Sequence, residues 1–134
     1  MKIEDVEGIG GTYAAKLKDV GIHTTDDLLM AGGPATNRAK VAEMTGISEK
    51  LILEWVNHAD LMRIPGVGSE YSDLLEAAGV DSPAELAQRN AANLATTVQE
   101  VVAARPSIVR RVPSESELAD WIAQSKDLPK VVEH

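Results

Sequence analysis

The sequence predicts an all-α fold, and three observations carry that prediction. Hydrophobic residues make up 44% of the 134 residues but aromatics only 3%, with no Phe, so the interior must be built from Leu, Ile, Val and Ala. That composition favours helix over sheet. Helix-capping signals recur along the chain, and apolar residues repeat at helical rather than alternating spacing. A Gly-x-Gly bend that opens a helical pattern occurs twice at a fixed offset of 58 residues.

The elements follow in order. The first bend, Val6-Glu7-Gly8-Ile9-Gly10, leads into Tyr13, Leu17 and Val20, whose spacing predicts a helix over 12–20. Gly21 stops it ahead of Ile22, as a left-handed glycine past a helix end should. Thr24 to Asp27 reads as an N-cap box opening a helix over 25–31. Gly32-Gly33-Pro34 marks a loop, and a helix over 36–45 follows, stopped by Gly46. Ser48 caps the next helix, 49–62, whose Leu51, Trp55, Val56 and Ala59 form one stripe. The bend then recurs as Ile64-Pro65-Gly66-Val67-Gly68, with Tyr71, Ser72 and Leu75 predicting a helix over 69–78 and Gly79 ending it before Val80. Ser82-Pro83-Ala84-Glu85 opens 83–88, with Pro83 at the first helical position, where its missing N–H is harmless. Helices are also expected over 91–104, 107–111 and 115–126. The last begins at the Ser114 to Glu117 box and carries Leu118, Trp121, Ile122 and Ser125 on one face. Residues 128–134 read as a short irregular tail.

The correspondence extends past the bends. Gly21, Ile22 and Leu28 match Gly79, Val80 and Leu86 at the same offset, and Ser48 to Trp55 resembles Ser114 to Trp121 at an offset of 66. The second copy therefore holds an insertion of eight residues, placed between Arg105 and Val112. A compact, multi-helix single domain is expected, formed from pseudo-repeat halves 1–61 and 62–127.

Charge and composition bound the function. The formal net charge is −8, spread evenly: residues 1–61 carry 6 bases and 10 acids, residues 62–134 carry 7 and 11. Nucleic-acid binding draws on Lys and Arg that neutralise phosphates, so this field opposes it. The absence of Cys excludes disulfide and thiolate chemistry. No signal-peptide pattern opens the chain, and its apolar runs are too short for a bilayer, so a cytoplasmic protein without a membrane partner is expected.

The bends are the candidate site. A turn this tight calls for residues that tolerate positive φ and leave room for another backbone, which accounts for glycine at both ends. The middle residue, Ile9 or Val67, should plug the core. The helix that follows presents N–H groups without intrahelical partners at the positive end of its dipole, which suits an anion. The candidate phosphate- or anion-binding residues are Gly8, Ile9, Gly10, Gly11, Thr12, Lys16 and Lys18, with Gly66, Val67, Gly68 and Ser69 at the second bend.

This pattern resembles the helix-hairpin-helix superfamily: apolar-x-Gly-apolar-Gly, then a small residue (Ala14, Ser72) and an aliphatic one (Leu17, Leu75). The chain as a whole, with Gly46 to Trp55 reading Gly-Ile-Ser-Glu-Lys-Leu-Ile-Leu-Glu-Trp, resembles the DUF4332 family of unassigned function. The resemblance implies an all-helical fold and, for the superfamily, sequence-independent contact with the DNA backbone through hairpin amides. Some hairpins of that superfamily instead hold a monovalent cation or contact proteins.

Local charge fits the DNA-binding version only in part. Lys16, Lys18 and nearby Lys2 face Glu4, Asp5 and Glu7 in the first copy. Between 62 and 87 the single base Arg63 stands against five acids, a face that repels phosphate. The one basic island, Arg89, Arg105, Arg110 and Arg111 against Glu100, coincides with the insertion. Arg105, Arg110 and Arg111 form a candidate basic patch for phosphates or an acidic partner. The competing reading makes the island a solvated face, or a set of ion-pair partners for the flanking acidic segments.

Other constellations weigh towards structure. Trp55 and Trp121 sit on apolar stripes and are expected to be buried rather than to stack on bases. His23, His58 and His134 are isolated, a surface position is expected for His58, and no metal-ligand spacing appears. Gly8-Ile9-Gly10-Gly11-Thr12 lacks the Gly-Lys-Ser/Thr ending and preceding strand of a P-loop. Paired acids such as Asp26 and Asp27 lie in helix first turns, where the dipole explains them. No nucleophile, base and orienting group come together, so neither an enzyme nor a cofactor is expected, although a monovalent cation could sit at a hairpin. A non-catalytic module docking onto another protein leads. Weak sequence-independent binding of DNA or RNA backbone through the first hairpin is the alternative.

Overall fold

The computed structural model describes all 134 residues and holds eight α-helices and no strand. The helices are α1 (Gly11–Asp19), α2 (Thr25–Gly32), α3 (Ala35–Thr45), α4 (Glu49–Leu61), α5 (Ser69–Ala77), α6 (Pro83–Leu86), α7 (Ala91–Ala104) and α8 (Glu115–Ser125). The chain divides into two units, Met1–Asp60 with Lys130–His134, and Leu61–Pro129.

In the first unit a 3-10 turn at Ile3–Asp5 lies beside α1, and α2 packs on α3. The segment around Lys2 pairs antiparallel with Thr24 through Ile3 N–H to His23 O and Thr25 N–H to Met1 O, both 3.0 Å. Thr24 and Asp27 form a reciprocal capping box on α2, and Ser48 Oγ accepts from Leu51 N–H to start α4. Gly21 at φ 86° and Gly46 at φ 74° end their helices in the left-handed region. The core gathers Ile3, Leu17, Leu28, Val41, Ile52 and Trp55, all buried. At Gly32 an added Cβ would stand 2.7 Å from Val56 Cγ2, so α2 runs against α4 where only glycine fits.

In the second unit α7 packs on α8 and α5, and α6 on α8. Leu74, Leu75, Leu86, Leu94, Val98 and Leu118 fill its core. Ser114 and Glu117 form a full capping box on α8. Ser82 caps α6 through Glu85 N–H, while the Glu85 carboxylate turns to Arg89 at 3.2 Å.

The expected helix over 107–111 is absent. Residues 105–114 form an irregular loop anchored by buried Val109. Pro106 pushes Arg105 out of the helical region, to φ −135° and ψ 74°, which ends α7. The residues beyond lack a cap and a periodic apolar face, and bonding across to α5 replaces intrahelical bonding.

Candidate functional site

The first bend closes with Ile9 N–H donating to Val6 O at 3.1 Å, and Gly8 stands at φ 86°. Ile9 is buried, while Gly8, Gly10, Gly11, Thr12, Lys16 and Lys18 are exposed. The second bend closes with Val67 N–H to Ile64 O at 3.0 Å, Gly66 at φ 95° and Val67 buried. Gly68 and Ser69 are half-buried there, and Ser69 O accepts from Ser72 Oγ at 2.8 Å.

The two glycines of each bend do different jobs, which corrects the expectation of positive φ at both. Gly10 and Gly68 are extended helix caps at φ −81° and −96° that offer no side-chain acceptor to α1 or α5. A Cβ at Gly10, Gly11 or Gly68 would meet nothing within 4 Å. Only Gly8 and Gly66 need the freedom of glycine for their backbone.

A tryptophan backs each bend. Trp55 Nε1 lies 3.4 Å from where a Cβ on Gly8 would stand, and Trp121 Nε1 lies 3.0 Å from that position on Gly66. Tyr13 meets Trp55 with ring centroids 5.0 Å apart, and Tyr71 meets Trp121 at 5.2 Å. Both indoles are buried, which leaves no face for a stacked base.

The cations divide into paired and unpaired. Lys18 is bonded to Glu4, and that bond holds the Glu4 carboxyl below its usual range. Lys16 has no ion-pair partner. Every arginine of the basic island faces a carboxylate of its own unit. Arg110 donates its backbone N–H and, at 3.2 Å, its Nε to Glu70, with its side chain 95% exposed. Arg105 lies 3.9 Å from Asp73, and Arg89 pairs with Glu85. Arg111 forks onto Glu117 at 2.7 and 2.8 Å, and its carbonyl accepts from Tyr71 OH at 3.0 Å. The loop that replaces the expected helix thus lies on the acidic face of α5.

These pairs carry a pH signature. The Arg111 fork, then the Ser114 N–H, draws the Glu117 carboxyl from its ordinary 4.5 down to about 2. A depressed carboxyl stabilises the fold above its unfolded value and loses that contribution as pH falls through the folded one. Chemical denaturation of the wild type and Glu117→Gln should therefore differ at pH 6, converge between pH 4.5 and 2, and coincide below. A gap that does not narrow with acid would show that the pair contributes nothing through charge.

His58 is 3% exposed, which corrects its expected surface position, and Asp60 on the same helix is buried too. Both are engaged in interactions. They face inward because α4 is enclosed on most of its circumference, which a stripe of four apolar residues understated.

Sequence reasoning missed one feature, the seating of the tail. Residues 128–134 carry no regular structure, yet Val132 is buried, and buried Arg38 reaches Glu133 across 95 positions. The signals were Gly32-Gly33-Pro34 and the apolar pair Val131-Val132 in an otherwise polar stretch.

No helix is long and apolar enough to cross a membrane. No curated protein and no solved structure matches the chain. The family model described as Domain of unknown function (DUF4332) matches residues 7–128, from the first bend through the whole of α8. On that span, which takes in both bends, both tryptophans and all eight helices, the chain belongs to the DUF4332 family.

Proposed function

We propose that this chain is a non-catalytic interaction module built from two helix-hairpin-helix halves, and that it docks onto another protein. The repeat reading is supported by matched details: φ of 86° and 95° at the leading glycines, extended caps at Gly10 and Gly68, and a tyrosine–tryptophan pair behind each bend. The docking reading rests on one observation. Arg89, Arg105, Arg110 and Arg111 all lie on carboxylates of their own unit, so the one basic island of a chain of net charge −8 is neutralised internally. Exposed Met30 and Met44 add adaptable apolar surface of the kind protein contacts use. The reading needs no cofactor and no bound metal.

A second reading, weak sequence-independent contact with DNA or RNA backbone, is favoured by the first bend alone. Gly10 and Gly11 leave open space before α1, and Lys16 is unpaired. Anisotropy of a labelled short duplex separates the two. We expect no binding at about 0.15 M salt, because the net charge of −8 opposes the approach of phosphate and every arginine of the basic island already faces a carboxylate. Affinity in the range of about 1–10 μM that falls steeply with salt, and is lost in Lys16→Glu/Lys18→Glu, would reverse the order of the readings.

A further inference from the structure

Residues 131–134 lie on the first unit as a peptide lies in a binding groove. Val132 is 1% exposed. Glu133 N–H donates to Gly33 O at 2.9 Å, and the Glu133 carboxylate accepts from Ala35 N–H at 3.0 Å. That places a negative charge at the start of α3, where the helix dipole favours it. Arg38 is the clamp. It is 6% exposed, and its Nη1 donates to Gly32 O and Gly33 O at 2.9 and 3.1 Å, while Nη2 donates to Glu133 O at 2.8 Å. A guanidinium this enclosed ordinarily has a carboxylate partner, but here it meets three carbonyls and one of them belongs to the tail. A Cβ on Gly33 would stand 2.4 Å from Val131 O, so the floor of the groove admits the incoming backbone only because it is glycine. His134 Nε2 completes the contact at 3.0 Å from Asn57 Oδ1.

Four recognition elements converge on one extended segment: an apolar socket, a main-chain acceptor, a helix N-terminus for a carboxylate, and a cation for a carbonyl. The segment has no secondary structure of its own, so releasing it breaks only these contacts. We propose that the first unit carries a recognition groove for extended peptide of the pattern aliphatic-Glu, with residues 131–134 as its intramolecular occupant. The partner it fits is a protein segment of the same chemistry, which enters when the tail leaves. A tethered occupant competes at an effective concentration on the order of 1 mM, so the groove stays closed to weak ligands in the intact chain. The inference deepens the docking reading and rests on it for its partner. Salt-sensitive DNA binding would remove that reading without touching the peptide result, whereas failed peptide binding would remove the groove and leave docking in place.

The test uses the full chain carrying Val132→Asp/Glu133→Lys, which releases the tail and leaves the groove residues intact. The probe is a labelled synthetic heptapeptide with the sequence of residues 128–134. We expect saturable binding to the variant at least about tenfold tighter than to the wild type, because the tethered competitor is gone. A peptide with lysine in place of glutamate should not bind, and Arg38→Lys added to the variant should weaken capture, since one ammonium cannot reproduce the fork onto Gly32 O and Glu133 O. If the variant loses its fold, peptide at about 1 mM should restore the native circular dichroism by mass action. Equal binding to wild type and variant, no binding to a folded variant, or no restoration of an unfolded one would overturn the proposal.

Discussion

Replacing Trp55 by alanine should destabilise the protein by about 3–5 kcal/mol, the range for deleting a large buried aromatic. Trp55 is among the largest fully enclosed side chains, with Tyr13 packed on it at 5.0 Å and the Gly8 backbone behind its indole nitrogen. Its loss leaves a cavity that Tyr13 cannot fill without leaving the helix face that fixes it, and the cavity lies directly under the first bend. Since domains of this size are stable by only about 5–15 kcal/mol, the variant should unfold at clearly lower urea with an unchanged slope. Gly8→Ala should cost less, since its strain at φ 86° is local and the nearest atom is 3.4 Å away. The two substitutions should be less than additive, because the methyl added at Gly8 no longer meets an indole in the double variant. With two tryptophans in the chain, Trp55→Ala leaves Trp121 as the sole tryptophan, so emission excited selectively at the indole reports the second unit while circular dichroism reports the whole. A loss under about 1 kcal/mol would mean that the bend is not supported from beneath.

The fold was legible wherever the deciding interaction is local. Thr24 with Asp27 and Ser114 with Glu117 are three residues apart, and a helix start built from one turn of chain is visible in that turn. Gly21, Gly46 and Gly79 sit past the ends of apolar stripes, and left-handed backbone is the cheapest way to leave a helix there. Legibility failed where a distant partner decides. Whether 107–111 is helical depends on Glu70, 40 residues earlier, taking the Arg110 N–H that a helix would have used. The burial of His58 depends on what encloses α4, which a one-dimensional stripe does not record. At the bends the sequence located both turns, but it assigned positive φ to Gly10 and Gly68 because a glycine pair does not say which member carries the strain. Those two glycines have no backbone or packing need that requires glycine within the chain. The seating of the tail is the extreme case, since nothing local to Arg38 or Glu133 marks either residue, and their contact spans 95 positions.

That distant contact supports the second large effect. Arg38→Met keeps much of the apolar stem and removes the fork, and two terms then oppose each other. Relieving a buried cation that has no carboxylate partner is favourable. Against this, Gly32 O loses its donor and the tail loses the bond that holds its Glu133 carbonyl. Unmet hydrogen-bond acceptors cost about 1–3 kcal/mol each while they stay buried, so the structure should respond by letting the tail go and water in. The expected result is a loss of about 2 kcal/mol, limited by the free energy of seating the tail rather than by the full desolvation of two carbonyls. Arg38→Lys should fall between, since a single ammonium cannot span Gly32 O and Glu133 O as a planar fork does. Amide exchange separates this account from simple core damage: the N–H groups of Ala35 and Glu133 should lose protection, while those within α1, distant in sequence and packed on the 3-10 turn, should keep theirs. An Arg38→Met protein of unchanged stability with Ala35 still protected would show that the tail is seated by Val132 alone and that the cation is incidental.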